Sequence, residues 1–152
     1  MKKISKGFTL IELLVVIGIL AILLAITLIA INPARQFGQA NNTNRRSAIL
    51  QILNSIHQYV AENQGQLPPE VKALVADAVT PFNSASFPLL CGLLSPNYIP
   101  ALPTDPSFAT ANITVCAGTW GDTGYAISRD AANRITVSAP TTDNGAVITV
   151  TR

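Results

Sequence analysis

Residues 8–31 read FTLIELLVVIGILAILLAITLIAI, a run of 24 residues that holds one charge, Glu12. A helix of this length, rising 1.5 Å per residue, spans about 36 Å and can cross a bilayer core with some tilt. Lys2, Lys3 and Lys6 precede the run. Basic residues mark the cytoplasmic flank of a membrane helix, so the C-terminal body is expected outside the cytoplasm. A cleaved secretory signal fits poorly, because its apolar region is only about 7–15 residues and ends at a small-residue site. An ordinary membrane anchor fits the length but leaves Glu12 unexplained. An ionised carboxylate in hydrocarbon is costly unless partnered, and Phe8, Thr9, Val15 and Val16, within one turn of it, are not cationic.

The remainder of the 152 residues suffices for one small domain beside a long helix. Apolar residues make up 49% and charged residues 12%, against about 25% charged in an average soluble domain. The net charge is +2, and without residues 1–7 it becomes −1. A near-neutral body gives no electrostatic basis for tight binding to nucleic acid.

Helical pattern continues beyond the apolar run, interrupted at Asn32-Pro33, where proline lacks the N–H and clashes with the carbonyl of Ile29. A kink near residues 29–32 is expected. The polar stretch 36–48 is weakened as a helix by Gly38 and two adjacent asparagines. Ile49, Ile52, Leu53, Ile56 and Val60 then recur at helical spacing and should face a head domain. Asn63-Gln64-Gly65 followed by Pro68 and Pro69 ends the helix. Residues 68–79 suit a short helix with Pro68 or Pro69 in its first turn and Leu74 and Val75 facing inward, and FPLLCGLL should carry Cys91 into the core. The proline-dense stretch 95–108 reads as an extended loop. Four segments alternate apolar and polar residues as strands do: 113–118, 124–130, 134–140 and 146–152. Tyr125, Ile127, Ile135 and Val137 share the parity of one buried face, and Trp120 is expected at the core edge.

The segment KGFTLIELLVVIGILAILLAI resembles the class III leader of type IV prepilins and type II secretion pseudopilins. The resemblance implies cleavage between Gly7 and Phe8 by prepilin peptidase, methylation of the new amine at Phe8, and an assembly role for Glu12, which holds the fifth mature position. A helix would set Phe8 and Glu12 on one face, about 6 Å apart along the axis. Glu12 is then expected to pair with the amine of a neighbouring copy inside an apolar filament core, where either charge alone would be costly. The implied fold is α+β, the pilin fold: a long hydrophobic N-terminal helix on a small antiparallel head. It divides the chain into a leader (1–7), a membrane and filament-core half-helix (8–31), a solvent-side half-helix (32–63) and a head (64–152).

The resemblance also implies polymerisation with copies of itself or related subunits, delivered by an inner-membrane assembly platform. The expected course is a single-pass inner-membrane precursor, then a cell-surface or periplasmic filament. A pilus subunit is the leading reading, and a type II secretion or competence pseudopilin is the alternative within that class. A minor tip pilin binding DNA or a surface is an alternative of another class, with Arg129, Arg134 and Arg152 as candidates. Cys91 and Cys116 are expected to form a disulfide if the head lies outside the cytoplasm, closing a 26-residue loop, and otherwise to be buried thiols. Loop entropy makes such a bond worth roughly 3.5 kcal/mol before strain. No nucleophile, base or phosphate loop suggests an enzyme, and no cofactor is expected. His57, the single histidine, lacks ligand-spaced neighbours and reads as surface or internally satisfied. Asp105, Asp122, Asp130 and Asp143 lack calcium-ligand spacing, so no metal site is assigned.

Overall fold

A computed structural model describes residues 7–108 and 111–152; Lys2, Lys3 and Lys6 of the expected leader lie outside the described residues. The chain forms two compact units, Met1–Phe37 and Gly38–Arg152. In the first, α1 (Leu10–Ile31) is a 22-residue helix that contains an 18-residue window of mean hydropathy 3.3. It is long and apolar enough to cross a membrane. It ends at Asn32, which adopts the left-handed region at φ 46°. Asparagine tolerates that conformation, and its Oδ1 also accepts a hydrogen bond from the Arg35 amide at 3.3 Å. Pro33 then opens α2 (Pro33–Glu62), where its missing N–H costs nothing. The expected interruption is therefore present.

The second unit takes α2 from Gly38 onward and buries Ile49, Ile52, Leu53 and Ile56 completely. The stop is as expected: Gln64 and Gly65 take positive φ, and the Gly65 amide reaches back to the Val60 carbonyl at 2.8 Å. Two short helices follow, α3 (Pro69–Lys72) and α4 (Leu90–Leu94), separated by strand β1 (Thr80–Asn83). Glu70 of α3 accepts from the amides of Leu89 and Leu90 at 2.9 and 2.8 Å, satisfying donors at the start of α4. Strands β2 (Asp122–Arg129), β3 (Ile135–Ala139) and β4 (Ile148–Thr151) complete an antiparallel sheet in the order β1-β2-β3-β4 among the described residues. Ile127 lies opposite both Thr80 and Val137, and Val137 opposite Val150. Tyr125, Ile127, Ile135 and Val137 all face the core, as their parity requires. They join Phe82, Phe87, Leu90, Leu94 and the α2 stripe in one apolar cluster.

Two local expectations are overturned. The segment 113–118 is not a strand: Ile113 makes one isolated bridge with Leu102, and Val115 is 68% exposed. Cys116 is tied to Cys91, so the segment follows the disulfide rather than a sheet edge. Its place in the sheet is taken by TPFN, where Pro81 sits on an edge strand beside a register shift. An edge is where proline's missing donor is tolerated. Val75 points outward at 75% exposure, while Leu74 packs against the core. Helix α3 ends at Lys72, so helical parity no longer governs Val75.

Candidate functional site

Gly7, Phe8 and Thr9 precede the first helical residue, Leu10. Thr9 is the N-cap, with extended backbone at φ −82° and ψ 153°. Its hydroxyl oxygen accepts from the Glu12 amide at 3.3 Å. In return, Glu12 Oε2 accepts from the Thr9 amide at 2.8 Å and from the Thr9 hydroxyl at 2.6 Å. This is a capping box, which satisfies amides that have no partner within the helix. It corrects two expectations. Glu12 does have a partner within one turn, although a neutral one. Phe8, 82% exposed, lies outside the helix, so the shared helical face with Glu12 does not form. The signal was present in the sequence as Thr-x-x-Glu ahead of an apolar run.

A second constellation joins α2 to two loops of the head. Arg45, 1% exposed, donates from Nε and Nη2 to the two oxygens of buried Asp105 at 2.7 and 3.0 Å. Its Nη1 donates to Asp143 at 2.6 Å and to Asn42 at 2.9 Å. Asn42 also exchanges two hydrogen bonds with the Asp143 backbone, at 2.7 and 3.1 Å. The Ser107 amide and hydroxyl both donate to Asp105. Burial pushes the Asp105 carboxyl up, but the bonds from Arg45 and Ser107 outweigh it and hold the group below the usual carboxylate range. Arg45 likewise lowers Asp143, and the Asp105 hydrogen bond raises the Arg45 pKa. The turn at Asn144-Gly145, with φ 57° and 67°, lies against Gly38. A Cβ at Gly38 would meet Asn144 Nδ2 at 2.5 Å and Asp143 Cβ at 2.9 Å. Gly38 is thus a close-approach residue, and its effect on helix propensity is secondary.

The carboxylates that look scattered in the sequence are therefore partly gathered. Asp105 and Asp143 converge on an arginine, while Asp122 caps the Gly124 amide and Asp130 pairs with Arg134. Among the described residues no group of three His, Cys, Asp or Glu side chains is placed to hold a metal. The arginines considered for nucleic acid are engaged too. Arg129 donates to Asn133 and to the Leu74 carbonyl, Arg134 to Asp130, and Arg152 to Asn54.

Cys91 and Cys116 form a disulfide with Cα atoms 5.4 Å apart, fastening buried α4 to the loop before β2. Trp120 is 6% exposed and meets Phe82 edge to face at 5.5 Å, covering the core as expected. Among the described residues the buried Nε2 of His57 has no hydrogen-bond partner. Burial, then the charge of Arg152, pushes its pKa down.

A long apolar N-terminal helix ahead of a small head with a four-stranded antiparallel sheet is a pilin-like α+β architecture. Residues 2–28 match the family model for the prokaryotic N-terminal methylation motif, the prepilin leader characteristic of type IV pilins and pseudopilins. The match takes in Gly7, Phe8, Thr9 and Glu12. Neither a curated protein nor a solved structure matches the chain.

Proposed function

We propose that this chain is a structural subunit of a type IV pilus-like filament. It enters the inner membrane as a single-pass precursor with its head outside the cytoplasm. Prepilin peptidase removes residues 1–7, Phe8 is methylated, and the subunit polymerises through α1 at an inner-membrane assembly platform. The observation that carries the reading is Glu12, one carboxylate in an apolar helix, inside the methylation motif at 2–28. Two facts support it. The α1 helix is apolar on every face apart from Glu12 and Thr27, so its surface needs lipid or other copies to cover it. Cleavage before Phe8 would create a cationic amine, and a buried amine and carboxylate are each tolerable only when paired.

The test is the yield of sheared fibres relative to the membrane-bound subunit. Glu12→Ala and Glu12→Gln should leave the membrane pool intact and reduce fibres at least tenfold, since an unpaired buried amine costs several kcal/mol. Normal yield from both would remove Glu12 from assembly. Subunits in sheared surface fibres make the filament a pilus; subunits held in the envelope make it a secretion pseudopilus. Arg129, Arg134 and Arg152, the feature behind the DNA-binding alternative, each donate a hydrogen bond within the head, which weighs against that reading.

A further inference from the structure

We propose that Thr9 is the positioning residue for Glu12, fixing one carboxylate oxygen and leaving the other to meet a neighbouring copy. The inference rests on the filament reading and specifies the atom through which Glu12 would act. Both donors from Thr9 converge on Oε2, the amide at 2.8 Å and the hydroxyl at 2.6 Å. Among the described residues Oε1 accepts no hydrogen bond. An ionised carboxylate has about four acceptor sites, so capacity for a cation remains after Thr9 is bound. A neighbour's amine can therefore add to the existing bonds without displacing them.

Three physical consequences follow from this arrangement. First, the glutamate side chain is ordered before any partner arrives, so less rotamer freedom is lost on assembly. Second, the carboxylate in the membrane-inserted subunit is never without donors, and it sits at the positive end of the α1 dipole. Third, Glu12 is drawn back toward Thr9, three residues nearer the N-terminus. The charge lies at the start of the helix instead of out along its flank. An approaching amine must reach that end, which sets the axial stagger between copies.

Thr9 could instead act only as a helix cap, and three substitutions in the full-length chain separate the roles. Thr9→Ser keeps both the acceptor for the Glu12 amide and the hydroxyl donor. Thr9→Asp keeps the cap acceptor but has no proton to donate to Oε2. Thr9→Val loses both. Fibre yield, normalised to the membrane pool, should stay within about twofold of wild type for Thr9→Ser. It should fall about tenfold or more for Thr9→Val and Thr9→Asp, as expected for losing a charge-assisted hydrogen bond. Wild-type yield from Thr9→Val, or from Thr9→Asp alone, would overturn the proposal.

A second readout does not depend on processing. In detergent micelles the ¹³C side-chain carboxyl resonance of Glu12 should be unmoved by Thr9→Ser and displaced by Thr9→Val. An unmoved resonance in Thr9→Val would equally overturn it. If Glu12→Gln assembles normally, the filament role of Glu12 itself has failed. If Glu12→Gln fails while every Thr9 variant assembles, only the positioning role has failed.

Discussion

Replacing Arg45 by alanine should be among the most damaging single changes to the head. The guanidinium is 1% exposed and makes two bonds to Asp105, one to Asp143 and one to Asn42. Among the described residues, its removal leaves the Asp105 carboxylate, itself 1% exposed, with the Ser107 donors alone. Breaking a buried pair by deleting one partner costs about 3–5 kcal/mol, because the remaining charge stays desolvated. For a head the size of Gly38–Arg152, about 4 °C per kcal/mol translates this into a fall of about 12–20 °C in Tm. Thermal melting of the full chain in detergent, followed by near-ultraviolet circular dichroism of buried Trp120, reads it directly. Asp105→Leu combined with Arg45→Met should recover most of the loss, since an apolar pair removes the stranded charge.

The pH dependence has a definite sign. Asp105 and Asp143 have folded pKa values below the ordinary carboxylate value. Their stabilisation is complete above that unfolded value, near pH 4, and is lost as pH falls through the folded values. The Arg45→Ala deficit should accordingly shrink in acid, where Asp105 can become neutral. A deficit under 1 kcal/mol at neutral pH, or one that grows in acid, would refute the argument.

Gly38→Val should destabilise the head by about 1–3 kcal/mol, because its Cβ must displace the Asp143–Asn144 turn; Gly92→Ala, with open space at its Cβ, is the control in the same melting assay. Reducing Cys91–Cys116 should cost about 2–4 kcal/mol. Hydrogen exchange should then rise first in the segment between the two cysteines, and unchanged exchange there would count against the disulfide as a fastener of that loop.

What could be read from the sequence followed periodicity and special residues. The apolar run, the break at Asn32-Pro33, the Ile49–Ile56 stripe and the β2–β3 face were visible because each rests on local spacing. What was hidden depends on residues far apart in the chain. Asp105 and Asp143 are 60 and 98 residues from Arg45, and no spacing rule connects them. Gly38 looked like a weak point in a helix, whereas its role comes from a turn more than a hundred residues later. Alternation alone misassigned 113–118, because a disulfide competes with strand pairing there, and it passed over TPFN, whose proline disguises an edge strand. The Thr9–Glu12 capping box is a different case, since its pattern is local and legible and needed only the question of neutral donors.

The most direct test of the central claim is the mature N-terminus of the subunit, determined by mass spectrometry on protein recovered from assembled filaments. The mature chain is expected to begin at Phe8, to carry one added methyl group on its amine, and to retain the Cys91–Cys116 bond. A chain that still begins at Met1, or one cut within or beyond α1, would contradict it.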